Sequence, residues 1–268
     1  LGGILLTFFE DTQPQRRPLF RKVTIGRPLF SVPCTRPFIA SCPKDQLFNF
    51  ILTLYIQRGR FPEHEEILLC SPSTTLEEIT LMFYRWHKAE ENQRTENLFC
   101  IAHCDLLSYT LQSQIVSLIA RFSGDHKTSM IFISCKKDNQ HLLSALSSTK
   151  IEAHVLEEKN LVQVFQEIST KSSPGIRVLR SDLPGSGKTR FALKTSHQSR
   201  LLYCRVPILG EITTHDFISF LQKRSSSSSS SSPVLYHIDV GSNAHNPMLN
   251  SLFFQLIVVG SLFDHNSG

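Results

Sequence analysis

No apolar run in this 268-residue chain reaches the roughly 20 residues that a membrane-spanning helix needs. The strongest one, 249–263, is interrupted by Gln255, Gly260 and Ser261. The opening LGGILLTFF is apolar, yet it lacks the basic preceding region and small-residue cleavage site of a secretory leader. A concentrated basic stripe is missing as well. The 28 Lys and Arg against 23 Asp and Glu give a formal charge of +5 spread along the chain, which argues against nucleic acid as a partner. The seven cysteines are odd in number, scattered, and form no C-x-x-C pair, so they fit a reducing compartment better than a disulfide framework.

What remains is ordinary globular usage, with 41% hydrophobic and 19% charged residues, enough for one large domain or two modest ones. Because the chain starts at Leu1 and stops at Gly268 directly after a helical pattern, a piece of a longer protein is expected. Residues 1–36 are rich in Pro and Arg without an apolar period and read as a connector. From Pro37 strands and helices alternate. Phe38 to Ala40, Glu66 to Cys70, Asn97 to Ala102 and Met130 to Ile133 read as buried strands. Helical faces are carried by Leu47 to Tyr55, by Leu76 to Trp86 and by Leu111 to Phe122, and a short helix is expected near Gln140 to Leu146. That alternation calls for a parallel α/β sheet with helices on both sides.

A helical run over 160–170 and the breaker Ser172-Ser173-Pro174-Gly175 place a domain boundary near 157–170, dividing the chain into units 37–160 and 161–268, the second truncated at its C-terminal end. The second unit is expected to run as a strand 176–179, a helix 189–195, a strand 200–206, a helix 214–223, a strand 234–238 and an apolar helix 248–263. The eight serines 225–232 cannot bury apolar area and read as a flexible surface insertion.

One motif carries chemistry. Asp182-Leu183-Pro184-Gly185-Ser186-Gly187-Lys188-Thr189 lies between an expected strand and an apolar helix, the context of a phosphate-binding loop. In such a loop Pro184, Gly185, Ser186, Gly187, Lys188 and Thr189 contact the nucleotide. The glycines let backbone N–H groups face the phosphates, Lys188 neutralises the β and γ phosphates, and the Thr189 hydroxyl ligates Mg²⁺. Asp182 stands where the pattern has its first glycine. The strand Val234 to Ile238 then ends on Asp239, placed to hold Mg²⁺ from the other side, but the next residue is Val240 where a glutamate would activate water. ATP bound with slow or absent hydrolysis is the expectation, unless His237, Asn243 or His245 substitutes as base.

The first unit repeats this weakly. Leu98 to Ala102 leads to Asp105, followed by Leu106, and the junction Ser41-Cys42-Pro43-Lys44-Asp45 holds no glycine, so this unit reads as a relative without phosphate binding. A zinc site from His103 with Cys100 and Cys104 is disfavoured, because residues on and at the end of one buried strand do not converge.

Two consecutive α/β units, one with a P-loop and one without, look like tandem AAA+ modules, that is, three-layer P-loop NTPase-like units. The phrases Thr35 to Pro43, Ile67 to Thr75, Cys100 to Leu107 and Tyr236 to Val240 are similar to the motor region of the mysterin family, the giant RING-finger AAA+ ubiquitin ligases of animals, over roughly 27–268. That resemblance implies one degenerate and one ATP-binding module from a dynein-like row of six. Gly185, Gly187, Lys188, Thr189 and Asp239 would be the ATP and Mg²⁺ contacts. Its partners would be further AAA+ modules and the ubiquitin-ligase region of the same parent chain. It also implies cytoplasmic and lipid-droplet locations, and ubiquitin transfer by parts absent here, since no RING-like Cys/His array occurs in this sequence. A nucleotide-free scaffold built from degenerate AAA+ units is the competing reading, favoured by Asp182. A small-molecule kinase uses the same loop but finds no acceptor-site residues here.

Overall fold

The computed structural model describes residues 36–58, 61–89, 91, 97–122, 124, 128–136, 141–157, 159–161, 163, 185–208, 210, 212–226, 233–241 and 247–262. Contacts divide the chain into two compact units, one built within 17–165 and the other within 166–257. Among the described residues, no helix is long and apolar enough to cross a membrane. The expected connector 1–36, apart from Arg36, and the expected strand 176–179 lie outside the described residues.

The first unit is a five-stranded, wholly parallel sheet of β1 (Phe38–Ser41), β2 (Ile67–Leu69), β3 (Leu98–Ala102), β4 (Ser129–Ser134) and β5 (Lys150–Glu152), in the order β2-β3-β4-β1-β5. Every residue of β3 and β4 is buried, which is why both read as unbroken apolar runs: a central parallel strand is covered on two faces. Alternation assigns the faces. Phe99, Ile101, Met130 and Phe132 meet α2 (Leu76–Lys88), α3 (Tyr109–Arg121) and the short α4 (His141–Ala145) through Ile79, Phe83, Trp86, Ile115 and Leu142. The alternate residues Ala40, Cys100, Ile131 and Ile133 point the other way and are fully buried. The helix α1 (Leu47–Ile56), buried from Phe50 to Ile56, is tied to β3 by the Tyr55 hydroxyl, which donates to the Leu98 carbonyl at 2.6 Å.

Helix α2 starts where its sequence says it must. Thr75 accepts the Glu78 backbone N–H, and the Glu78 carboxylate accepts the Thr75 N–H at 2.7 Å, a reciprocal cap of two otherwise unpaired donors. Its last apolar residue, Trp86, donates from Nε1 to the Thr128 carbonyl at 3.1 Å, just ahead of β4. Phe83 sits among Trp86, Phe122 and Phe132, with ring centroids 6.0, 5.7 and 6.3 Å away. The edge strand β5 is too short and too exposed to show a period in sequence, and it pairs with β1 through Ile39, Ala40 and Ser41.

In the second unit α5 (Lys188–Gln198), β6 (Leu202–Ile208), α6 (Thr214–Ser226), β7 (Val234–Val240) and α7 (Pro247–Phe253) follow in turn. Strands β6 and β7 pair in parallel from Leu202 with Val234 to Ile208 with Val240. Cys204, Val206 and Ile208 pack with Phe217, Leu249 and Leu252. The expected helix 248–263 is two pieces, for after Phe253 the chain widens into a π-turn, Phe254–Val259. Gly260 at φ +75° follows, a left-handed position that a glycine adopts freely and that ends the turn.

Phe83→Ala empties a fully buried ring from the first core and is expected to destabilise that unit by about 3–5 kcal/mol, whereas Thr75→Ala, which removes only a cap, should cost about 1 kcal/mol. Urea unfolding followed by the fluorescence of Trp86, the single tryptophan, measures both.

Candidate functional site

The loop ahead of α5 has the shape its sequence suggests at the positions described. Gly185 and Gly187 adopt φ +75° and +84°, the left-handed region, and a Cβ built on either would meet nothing within 4 Å. The space beside both glycines is open, which lets a ligand approach the main chain. Gly187 is the N-cap of α5 and provides no side chain to satisfy the first-turn N–H groups. First-turn N–H groups without a side-chain cap among the described residues, and the positive end of the helix dipole, therefore face the loop. Lys188, at the first helical position, donates from Nζ to Ser186 Oγ at 3.3 Å and so folds back over the loop. Thr189 is exposed on the same turn. Pro184 and Asp182 lie outside the described residues. A site made of main-chain donors, one ammonium group and one hydroxyl fits polyphosphate and its magnesium ion in chemical kind.

Asp239 lies inside β7, opposite Pro207, rather than beyond the strand end. Its carboxylate is taken by Arg205 of β6: Nε donates to Oδ2 at 3.0 Å and Nη2 shares the same oxygen. Alternation puts Tyr203, Arg205, His237 and Asp239 on the face turned away from Cys204, Val206 and Ile208. His237 Nδ1 and the Tyr203 hydroxyl form a 2.6 Å hydrogen bond there. Tyr203 loses solvation, which raises its pKa, and Asp239 pushes the same way against the lowering effect of Arg205. Val240, standing where a water-activating glutamate would be, is exposed, while Asn243 and His245 lie outside the described residues.

The corresponding edge of the first unit looks different. Because β1 lies between β4 and β5, the segments leaving the carboxyl ends of β1, β3 and β4 converge. This is the switch point at which open α/β sheets take their ligands. Asp105 is not directed at a phosphate loop. Its Oδ1 accepts the backbone N–H of Cys135 at 2.8 Å, fastening the end of β3 to the end of β4. His103, in the left-handed region at φ 59°, turns its ring so that Nδ1 lies 3.5 Å from Cys135 Sγ. Cys100 and Cys104 point into the core instead, where burial pushes their thiols up, as it does that of Cys70. The sequence argument against a zinc site of His103, Cys100 and Cys104 agrees with that placement. It missed Cys135, because the partner arrives from a neighbouring strand 32 residues on from His103.

Residues 37–151 match the family model of the RNF213 AAA domain. Among curated proteins the chain is similar to the E3 ubiquitin-protein ligase RNF213 of Mus musculus, with 22% identity over 280 residues, covering 94% of this chain and 5% of that protein. It is also similar to the E3 ubiquitin-protein ligase rnf213-beta of Danio rerio, with 20% identity over 255 residues, covering 85% of this chain and 5% of that protein. The chain thus spans about one twentieth (5%) of the length of the curated relatives it matches. The parallel α/β sheet and the AAA match together agree with a P-loop NTPase-like fold.

Replacing Gly187 should destabilise the second unit through backbone conformation alone, since the space beside it is open. Asn, which tolerates the left-handed region, is expected to cost least, Ala about 1 kcal/mol, and Val more. Chemical denaturation of the three variants, followed by far-ultraviolet circular dichroism, checks that ranking.

Proposed function

We propose that this chain is an ATP-binding part of the AAA+ motor of an RNF213-like protein, because residues 37–151 match the RNF213 AAA domain model and the chain is similar to RNF213 proteins over most of its length. In this reading the division is 37–160, a nucleotide-free AAA+-like unit, and 161–268, the unit that holds Mg-ATP. The observation that carries it is the pair of left-handed glycines, Gly185 and Gly187, set directly against an uncapped helix start with Lys188 on its first turn. Backbone N–H groups of 185–189 bind the phosphates, Lys188 leaves Ser186 for the β and γ phosphates, and Thr189 ligates Mg²⁺. Bound magnesium would balance the charge of the terminal phosphates there. Asp239 joins the ion only by giving up Arg205, and no carboxylate follows it at Val240, so turnover is slow or absent. The parent protein, like the relatives named as ubiquitin ligases, transfers ubiquitin through regions outside this chain, acts in the cytoplasm and associates with lipid droplets.

Equilibrium binding of labelled ATP with magnesium tests the central point. Lys188→Ala should lose at least tenfold in affinity, and equal retention by both proteins would remove the proposal. Val240→Glu should raise ATP turnover if the remaining groups are in place. Arg205→Gln should strengthen the dependence of binding on magnesium, because Asp239 no longer has an intramolecular cation.

The Arg205 hold on Asp239 favours a second reading, a nucleotide-free scaffold of two degenerate units. A thermal melt separates the two. Mg-ATP at about 100 times its Kd should stabilise the second unit by about 2.7 kcal/mol, and a scaffold would show no shift.

A further inference from the structure

We propose that His103, Asp105 and Cys135, with Cys42 as fourth ligand, form a tetrahedral Zn²⁺ site at the switch point of the first unit. His103 Nδ1, an Asp105 oxygen and Cys135 Sγ all lie within 4.8 Å of one another. Around a tetrahedral zinc ion, a sulfur at about 2.3 Å and a nitrogen at about 2.05 Å stand roughly 3.6 Å apart. His103 Nδ1 and Cys135 Sγ are 3.5 Å apart, and His103 Nδ1 and Asp105 Oδ1 are 4.0 Å apart. The first pair already has the spacing of a tetrahedral edge, and the second needs a small inward movement.

Four further observations point the same way. The Asp105 side chain is only 5% exposed and His103 only 16%, so these are held groups rather than a solvated surface cluster. The Cys135 N–H fixes the Asp105 carboxylate, as outer hydrogen bonds orient metal ligands elsewhere. The left-handed backbone of His103, uncommon for a residue with a Cβ, is what brings its ring to Cys135. Cys42, 2% exposed just past β1, donates its backbone N–H to the Ser134 carbonyl at 3.0 Å, which sets its thiol close to that of Cys135, and a small movement would bring it in as the fourth ligand.

The chemistry selects the ion. Thiolate and imidazole donors favour zinc over magnesium or calcium, which take oxygen. Binding expels the two thiol protons to solvent and uses the His103 tautomer with hydrogen on Nε2, and no electron is transferred. Such an ion would join the carboxyl ends of three strands. The inference does not depend on the P-loop of the second unit.

The test uses the 268-residue chain, kept reduced with a phosphine that does not compete as a thiol. Equilibrium dialysis against Zn²⁺ is expected to give one ion per chain, and Co²⁺ in its place should show thiolate charge transfer and the intense visible bands of a tetrahedral site. Cys135→Ser and His103→Gln should each weaken zinc more than tenfold and abolish those bands, while Cys204→Ser, in the second unit, should change neither. His103→Gln alters a half-buried ring, so it carries the test if Cys135→Ser fails to fold. A wild-type protein that binds no stoichiometric zinc, a Co²⁺ spectrum of octahedral type, or binding untouched in His103→Gln would each overturn the proposal. Lys188→Ala should retain its zinc, which separates failure here from failure of ATP binding.

Discussion

The central constraint on the first unit is the insertion of β1 between β4 and β5. A parallel strand cannot be reached by a short hairpin, so each entry into this sheet needs a crossover, and the crossover from β1 to β2 passes over β4 and β3. This order sets the ends of β1, β3 and β4 side by side, with Cys42, His103, Asp105 and Cys135 just beyond them, and the Cys42 N–H donates to the Ser134 carbonyl at 3.0 Å. Residues separated by nearly a hundred positions meet because the strand order requires it. The fully apolar β3 and β4 follow from the same order, since both are central and both faces are covered.

The segments that lead into a helix differ in chemistry between the two units. In the second, glycine and main-chain donors precede a helix, leaving room and positive potential for an anion. In the first, no glycine follows β1, and side chains of sulfur, nitrogen and oxygen fill the corresponding region. The contrast arises from local composition just ahead of a helix.

Much of this was legible in the sequence, for identifiable reasons. Helices α2 and α3 announce themselves because Thr75 and Ser108 cap them and their apolar residues recur with the helical period. The turn at Gly185 and Gly187 is legible because its left-handed backbone favours glycine. Strand β5 was not, since Lys150-Ile151-Glu152 offers one apolar residue on an edge. The π-turn at 254–259 hides inside an apolar run that suits an ordinary helix equally well. Asp239 reads correctly as an acid at the end of an apolar strand, but its engagement with Arg205 depends on the β6–β7 register, which no local pattern encodes. Likewise, His103 and Asp105 gain a partner only once β4 is known to lie beside β3.

Three side-chain ties of the first sheet gather at its amino rim. Tyr55 reaches Leu98, Trp86 reaches Thr128, and Arg58 donates to Ser129 at 3.2 Å, all where β3 and β4 begin. Mechanical integrity is therefore shared: three ties brace the amino rim, and the Asp105 carboxylate, accepting the Cys135 N–H, braces the opposite one. Substitutions among the residues that leave the strands can accumulate there without loosening the sheet only while that last tie stands.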